Sequence, residues 1–334
     1  MKKIGLLLIN LGTPSAPDFW SVWRYLREFL NDKRVITLPA VLRFFILYGL
    51  ILPGRVAKTT KAYQKIWSEK GSPLRVHSED LCQRLQVQLG DQYQVVLAMR
   101  YGQPSIAQAL AQMQNWEHLY ILPLYPQYSS AATGSSLEAV LRYIGSQSCI
   151  PNLTVIREFY QHPSFIQAQA QQIRSYISDH DAIVFSYHGL PVHHLQQAGC
   201  QAVCDTKCTI PSKLLQHPNC YRAQCYQTSA LLAEALQLEP HQYMTVFQSR
   251  LGRTPWIQPY MEEYLAKLPA QGVKRIAIAC PSFVADCLET LEEIGDRMAA
   301  AWRLAGGEQL TLIPCLNAES IWCEAIQTIC VSQS

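Results

Sequence analysis

The sequence lacks the features of several common protein classes. Its net charge is only +3, and no basic run interleaved with aromatic residues is present, which argues against a nucleic-acid-binding protein. No G-x-G-x-x-G motif follows a predicted strand, which argues against a nucleotide-binding Rossmann enzyme. Charged residues make up only 16% of the chain and hydrophobic residues 49%, a globular composition without the signature of disorder.

Long apolar runs are also missing. The apolar stretch 38–53 falls short of the roughly 20 residues of a spanning helix, contains Arg43 and is bounded by prolines. The first apolar run, 4–9, is broken by Asn10 and leads into a turn rather than a cleavage site, so a buried strand is favoured over a signal peptide. We expect a cytoplasmic protein that does not span the membrane. Segment 38–53 could rest on the inner face of the cytoplasmic membrane as a peripheral contact.

Short apolar runs alternate with helix-like stretches, a pattern typical of a parallel sheet with crossover helices. The predicted strands are 4–11, 95–99, 119–124, 182–187, 244–248, 275–279 and 310–313. The predicted helices between them include 105–114, 165–177, 227–236 and 289–301.

The two halves of the chain resemble each other. In each half a strand ends in a Gly-x-Pro turn, at 12–14 and at 189–191, and a later strand leads through a proline and a loop into a helix. We predict an α/β fold of two similar doubly wound domains, 1–155 and 156–312, with a C-terminal helix in 313–334 that returns to the first domain. Ligands of such sheets bind at the carboxyl ends of the strands, so we expect the active site in the cleft between the domains.

Two elements of the second half carry side chains suited to chemistry. His188 ends a strand just before a tight turn, where an imidazole can ligate a metal or take a proton, or merely hydrogen-bond the turn. Asp286, Glu289 and Glu293 stand at i, i+3 and i+7, which lines one helix face with carboxylates. On spacing alone, a solvated first turn stabilised by the helix dipole is the favoured alternative for these acids.

Six segments in order make the chain resemble the ferrochelatase family over nearly its whole length. They are Asn-Leu-Gly-Thr-Pro at 10–14, Arg-Tyr-Gly at 100–102, Leu-Tyr-Pro-Gln-Tyr-Ser at 124–129 with Thr-Gly-Ser-Ser at 133–136, Ser-Tyr-His-Gly-Leu-Pro at 186–191, Gln-Ser-Arg at 248–250 with Trp256, and 280–291. The resemblance implies two Rossmann-like halves. It also implies a lyase that inserts Fe(II) into protoporphyrin IX to give protohaem with release of two protons, the terminal step of haem biosynthesis.

The resemblance assigns roles to single residues of the metal site. The family's histidine falls on His188 and its glutamate on Glu289, so these two residues are expected to be catalytic and to contact the iron. The family's acidic ridge continues onto Glu293. Its next acidic position falls on Arg297, which puts the supposed metal or proton path beyond Glu293 in doubt.

Other matches concern the porphyrin. Arg100 and Tyr101 match residues that line the family's metal side, and Trp256 matches a wall of the porphyrin pocket. The tyrosine that coproporphyrin enzymes often carry before the first Gly-Thr-Pro is Leu11 here, which favours protoporphyrin. Segment 38–53 matches the family's apolar lip, with an ordinary buried helix as the alternative. No oligomeric state is predicted.

Three other functions compete with this interpretation. A cobalt or nickel chelatase for sirohydrochlorin shares the fold but is usually shorter and lacks the paired histidine and Asp-x-x-Glu motifs. A ferrochelatase acting on coproporphyrin is the second alternative. The third is a haem- or metal-sensing protein without catalysis, against which the intact His188 and Glu289 argue.

Five of the twelve cysteines lie in a segment, 200–225, that is longer than in the shorter bacterial members of the family. Four thiolates are the usual complement of an iron–sulfur cluster or a structural zinc. Some ferrochelatases carry a [2Fe–2S] cluster, several through C-terminal cysteines, but the three here are spread out. We therefore expect a [2Fe–2S] cluster, with zinc as the alternative, on four of the five internal cysteines, without being able to say which one is spare: Cys200, Cys204, Cys208, Cys220 and Cys225.

Overall fold

Two four-stranded parallel sheets organise the chain. The computed structural model describes residues 3–113, 116–200, 218–250, 252 and 254–331, and Cys204 and Cys208 lie outside the described residues. The first sheet has the order β2-β1-β3-β4 and the second β6-β5-β7-β8. Their strands are β1 (Lys3–Gly12), β2 (Tyr93–Tyr101), β3 (Trp116–Pro123), β4 (Asn152–Val155), β5 (Ala182–His188), β6 (Tyr243–Gln248), β7 (Arg275–Ala279) and β8 (Gln309–Leu312).

The predicted α/β fold class with parallel sheets is confirmed, and all seven predicted strands are present. The sequence pattern missed β4. This strand has only four residues, pairs with a single neighbour, β3, and is nowhere fully buried, so it carries no continuous apolar run. The matching strand orders of the two sheets agree with the repeat that the sequence suggested.

Helices cover both sheets. They are α1 (Phe19–Leu30), α2 (Ala40–Ile46), α3 (Leu52–Ile66), α4 (Pro73–Leu89), α5 (Ile106–Gln112), α6 (Ser135–Ile144), α7 (Pro163–Arg174), α8 (Val192–Gln197), α9 (Tyr221–Leu236), α10 (Met261–Leu265), α11 (Leu288–Leu291), α12 (Ala299–Leu304) and α13 (Ser320–Val331). Their starts follow local rules: Asp18 caps α1 by accepting the N–H groups of Trp20 and Ser21, and a capping box of Ser105 and Gln108 begins α5.

Two predicted helices differ from the structure in their details. The predicted helix 289–301 is interrupted by a π-helical turn, Glu293–Met298, between α11 and α12. The predicted helix 227–236 begins earlier, at Tyr221, so the C-terminal end of the cysteine-rich segment is helical and Cys225 lies in the second turn of α9.

The apolar segment 38–53 does not end at Pro53 as its bounding prolines suggested. It continues through α2, a π-helical turn and α3 as one helix, Ala40–Ile66. Pro53 lies at the start of α3, directly after the π turn where the hydrogen-bond register changes, so its missing N–H is tolerated. By length and composition this helix is apolar enough to cross a membrane, whereas its inner face, including Leu47 and Val56, is buried on the protein.

The C-terminal helix connects the two halves. α13 packs against α7 and against α4 of the first half. Gln88 on α4 donates a hydrogen bond to Gln327 on α13 (2.8 Å), and the fully buried Trp322 packs on the rings of Phe159 and Phe165. This helix therefore packs against elements of both halves of the chain.

Candidate active site

A cavity of about 150 Å³ lies between the two sheets at the carboxyl ends of their strands. The first half lines it with the end of β1, including Leu11 and Thr13, and with the loop after β3. The second half contributes His188 from β5, Ser282 from the loop after β7, and Glu289 from α11. This is the position at which doubly wound sheets bind ligands.

The backbone of His188 and of the residue after it is held by three hydrogen bonds. Its own N–H donates to the hydroxyl of Ser282 at 3.1 Å, and its carbonyl oxygen accepts the hydroxyl of Tyr221 at 2.9 Å. Gly189, the next residue, is fixed by a hydrogen bond from its N–H to the carbonyl of Gln248 at 2.8 Å. The imidazole therefore projects into the cavity from a rigid strand end.

The contacts of the His188 ring define its tautomer. Nδ1 lies 2.6 Å from the carbonyl oxygen of Gly189, which can only accept, so Nδ1 carries the proton and Nε2 carries the lone pair. Burial lowers the pKa of His188 below its usual value, and the charge of Arg55 acts in the same direction, against the opposing effects of Glu289 and the Gly189 carbonyl. The imidazole is a neutral base at neutral pH.

Glu289 lies in the first turn of α11 and is half-buried in the wall of the same cavity. Gln248, at the end of β6, donates from its side chain to the backbone carbonyl of Glu289 at 2.8 Å. Because Gln248 also binds Gly189, one residue joins the turn after His188 to the helix of Glu289. The guanidinium of Arg55, from the long helix of the first half, interacts electrostatically with Glu289.

Glu293 lies behind Glu289, at the start of the π-helical turn, and is buried. Burial raises the pKa of Glu293 to about 7, although hydrogen bonds from Ser249 and the charge of Arg297 act against this shift. A carboxyl with such a pKa can exchange protons near neutral pH. The structure thus brings the three predicted metal-site residues, His188, Glu289 and Glu293, to one region.

Arg297 closes the acidic face beyond Glu293. Its side chain binds the carboxylate of Glu292 at 2.9 Å and lies 3.7 Å from that of Glu293. Lys65 of α3 reaches the same region and pairs with Asp296 at 2.5 Å. Beyond Glu293 the surface is an alternation of both charges rather than a continuous row of carboxylates.

Arg100 and Tyr101 do not line the cavity that contains His188 and Glu289. Both bind Asp32, Arg100 through Nη2 at 2.6 Å and Tyr101 through its hydroxyl at 2.9 Å. Ser135 donates to the same carboxylate oxygen. Arg100 lines a neighbouring cavity that shares Thr13 with the first, and Tyr101 is fully buried. Their predicted role on the metal side stays a prediction.

The two predicted porphyrin contacts are placed differently. Leu11 lines the cavity directly. Trp256 stands at its side: the ring is half-buried, and its centroid lies 6.5 Å from that of the His188 ring. The centroid of the Phe283 ring lies 6.2 Å from that of the imidazole, so two aromatic rings lie near His188.

Three of the five clustered cysteines are within the described residues. Cys200, Cys220 and Cys225 are buried, and they flank the segment 201–217 that contains the other two. Within the described residues, no group of three or more histidine, cysteine or acidic side chains is arranged to hold a metal ion. The described thiols therefore do not form a metal centre by themselves.

Comparison with known proteins decides the family. A model of the ferrochelatase family matches residues 3–334. A ferrochelatase of Legionella pneumophila (strain Lens) is 55% identical over 326 residues, covering 97% of this chain and 98% of the relative. A ferrochelatase of Coxiella burnetii (strain Dugway 5J108-111) is 47% identical over 329 residues, covering 97% and 92%. The chain belongs to the ferrochelatase family. The resemblance seen in the sequence is confirmed.

Two solved structures share the fold. SirB from Bacillus subtilis with Fe³⁺ aligns with a TM-score of 0.55 at 10% identity, covering 99% of this chain and 95% of SirB. DR2241 from Deinococcus radiodurans, a multi-domain protein with structural similarity to chelatases, aligns with a TM-score of 0.50 at 13% identity, covering 98% and 54%. At these identities the comparison supports the chelatase fold alone.

Several residues of this ferrochelatase-family site were not predicted from the sequence. Asp32, Tyr221 and Ser282 form hydrogen bonds to residues far away along the chain, which local spacing does not indicate. Ser282 lies inside a matched segment, so its position after β7 was a signal that could have been used. Asp32 and Tyr221 carried no comparable signal.

Proposed function

We propose that this protein inserts Fe(II) into protoporphyrin IX to give protohaem with release of two protons. Membership of the ferrochelatase family supports the reaction. The observation that carries it is the pairing of a neutral imidazole, His188, with a carboxylate, Glu289, on one cavity between the sheets. A ring bound between them presents its central nitrogens to a base or metal ligand on either side.

The chemistry requires these groups. Iron replaces two pyrrole N–H protons, so a base has to stand over the ring. With Nδ1 donating to Gly189, the Nε2 lone pair of His188 is available to take the first proton or to hold the iron. Glu289 faces it as the second acceptor, and Glu293, with a pKa near 7, passes protons or iron to or from Glu289. Imidazole nitrogen and carboxylate oxygen both suit a ferrous ion.

Protoporphyrin is the proposed substrate because the wall at Leu11 is apolar. Coproporphyrin carries two extra carboxylates where protoporphyrin carries vinyl groups. An apolar side chain offers a vinyl group contact but offers a carboxylate no hydrogen bond, and burying an unpaired carboxylate is costly. Leu11 therefore favours the less polar porphyrin.

A [2Fe–2S] cluster on the cysteine-rich segment is a further proposal, with zinc as the alternative. Buried thiols on both sides of 201–217 suit it, since Cys200 and Cys220 provide ligands close to its two ends. Because the described thiols do not form a centre alone, at least one of Cys204 and Cys208 has to complete the set. When bound, the cluster would cross-link the two ends of this segment. No step of iron insertion passes through the cluster.

Peripheral membrane contact is proposed for segment 38–53, which belongs to the same helix as Tyr63 of the cavity wall. Its outer face exposes Val41, Phe44, Phe45 and Leu50. An exposed apolar face of this kind can rest in the interfacial region of a bilayer and admit a poorly soluble porphyrin. This proposal accords with a cytoplasmic protein at the inner face of the membrane.

An anaerobic optical assay tests the function. Protoporphyrin and Fe²⁺ are mixed with the wild type, with His188→Ala, and with the matched control His241→Ala, whose side chain is exposed. We expect free-base porphyrin bands to give way to haem bands, a loss of at least about a hundredfold in His188→Ala, and no change in the control.

Other outcomes of this assay point to the competing functions. Turnover of coproporphyrin with iron, or of sirohydrochlorin with cobalt, in place of protoporphyrin would overturn the substrate but keep the site. Tight haem binding without turnover of any tetrapyrrole would indicate a sensing protein. The spectrum and the iron and sulfide content before substrate is added report the cluster, and the double variant Cys204→Ala with Cys208→Ala, which leaves only three of the five thiols, should lose both if the cluster is present.

A further inference from the structure

The contact between Tyr221 and His188 links the cavity to the cysteine-rich segment. Tyr221 begins α9 directly after Cys220 and lines the cavity floor. Its hydroxyl donates to the backbone carbonyl of His188 at 2.9 Å. The ring is buried, so water does not readily replace this hydrogen bond.

The Tyr221 hydroxyl is itself held in place. One turn further along α9, the sulfur of Cys225 is fully buried and in contact with this hydroxyl. Ser282, which accepts the N–H of His188, also contacts it. The carbonyl and the N–H of His188 are thus fixed by two hydroxyls that touch each other.

We propose that Tyr221, supported by the sulfur of Cys225, is a positioning residue that holds the His188 imidazole in its working orientation. The proposal rests on the proposed function, in which His188 is the base or iron ligand. A backbone shift at His188 moves the whole ring, and misplacing a reacting group by about 1 Å can cost a hundredfold in rate.

The same contacts assign a place to one cysteine of the five. The sulfur of Cys225 lies in the second turn of α9, inside the core and beside the rings of Tyr221 and Tyr187, whereas Cys220 precedes this helix. The interaction of Cys225 with the Tyr221 hydroxyl is larger than its interaction with the thiol of Cys220. Cys225 is therefore the thiol that a metal centre in this segment leaves unused.

Tyr221→Phe removes the hydroxyl and keeps the ring. We expect kcat to fall about tenfold with little change in the KM for protoporphyrin, because the porphyrin walls are intact while the imidazole is displaced. The matched control is Tyr187→Phe, which removes a buried hydroxyl one residue before His188 that binds Ser229 at 2.9 Å. The control should keep its kcat.

Two variants of Cys225 test whether its sulfur supports the Tyr221 hydroxyl. Cys225→Ala leaves the Tyr221 hydroxyl without its neighbour and should lower kcat severalfold, whereas Cys225→Ser restores a polar partner and should recover most of it. Both should retain the visible absorption and the metal content of the wild type. Loss of either in Cys225→Ala would show that Cys225 is a metal ligand and overturn its assignment.

The outcomes of these experiments distinguish failure of the positioning role from failure of the proposed function. Equal losses of kcat in Tyr221→Phe and Tyr187→Phe, or no loss in Tyr221→Phe, would overturn the positioning role while an inactive His188→Ala keeps the proposed function. An inactive wild type would overturn the proposed function itself.

Discussion

Ser249 directs both of its donors at the carboxylate of Glu293. Its backbone N–H lies 2.8 Å from Oε1 and its hydroxyl 2.7 Å from Oε2. Ser249 does so with a φ of 67°, in the left-handed region that residues other than glycine rarely adopt. The buried carboxylate is thus held by a strained residue at the end of β6, yet the effect of burial on its pKa still exceeds that of the hydrogen bonds.

Glu293→Gln should stabilise the fold at alkaline but not at acidic pH. Burial raises the pKa of Glu293 from 4.5 to about 7. Between these values the unfolded chain releases the proton first, so the wild type loses stability as the pH rises, and the full loss is present above pH 7. It amounts to roughly 3 kcal/mol.

Glutamine carries no charge and escapes this loss. Thermal unfolding midpoints of the wild type and Glu293→Gln should therefore coincide near pH 4 and diverge by pH 8, with the variant higher. The same difference at both pH values would show that Glu293 is not buried as a raised-pKa carboxyl.

The rate of iron insertion should depend on pH through Glu293 and His188. If Glu293 has to be ionised, the wild-type rate falls below about pH 7. In Glu293→Gln the acid limb should move below pH 6.5, where it reports His188, whose pKa burial lowers. Profiles of kcat/KM from pH 5 to 8 measure both limbs. An unmoved limb in the variant would assign it to another group.

Asp32→Asn should cost more stability than the loss of an ordinary surface ion pair. Asp32 accepts from Arg100, Tyr101 and Ser135, and its removal leaves the half-buried Arg100 guanidinium without its counter-charge. We expect a loss of about 2–4 kcal/mol in the free energy of unfolding. The control Arg142→Gln breaks an exposed i,i+4 pair with Glu138 and should cost less than about 0.5 kcal/mol.

The pH dependence of this contribution has the opposite sign to that of Glu293. Burial acts to raise the pKa of Asp32, but the hydrogen bonds from Ser135, Arg34 and Tyr101 and the charge of Arg100 outweigh it, and the pKa is lowered. Asp32 therefore stabilises the fold above its unfolded pKa and stops doing so as the pH falls through its folded pKa. Urea unfolding should show a larger difference between wild type and variant at pH 7 than at pH 3, because the contribution of Asp32 declines once the pH falls below its unfolded pKa.

The sequence was informative where function follows from local order along the chain. The strand, the histidine and the turn of residues 182–191 are consecutive, so β5 and His188 could be placed before the structure was known. The i, i+3, i+7 acids relied on α-helical spacing, and the π turn at Glu293 changes that spacing without separating Glu289 from Glu293. Both predictions depend on short-range geometry.

Contacts that join distant segments could not be read in this way. Asp32 meets Arg100 and Tyr101 only because α1 ends beside β2, and Tyr221 meets His188 only because α9 begins near the end of β5. Pro53 shows the converse, since this proline bounds the apolar segment in the sequence, whereas the helix continues through it after the π turn. These features depend on long-range packing, which the spacing of residues along the chain does not indicate.

The outer face of the long helix should bind membranes through its exposed apolar side chains. Val41 and Leu50 are 71% and 74% exposed and share the outer face of this helix with the exposed Phe44 and Phe45, and a clustered apolar face of this kind typically meets another surface. The double variant Val41→Glu with Leu50→Glu removes apolar groups from this face without touching its buried side. Its matched control is Val87→Glu with Leu304→Glu, the same exchanges at positions 78% and 90% exposed on α4 and α12.

Sedimentation with vesicles of the zwitterionic lipid phosphatidylcholine measures the effect, because a neutral surface does not repel the added carboxylates. We expect the lip variant to bind at least about tenfold more weakly than the wild type, since each side chain contributes roughly 1.5–3 kcal/mol when fully buried in an apolar phase. The control should bind like the wild type, and all three should unfold at similar temperatures. Equal losses in both double variants would mean that added charge alone weakens binding and that 38–53 has no special role.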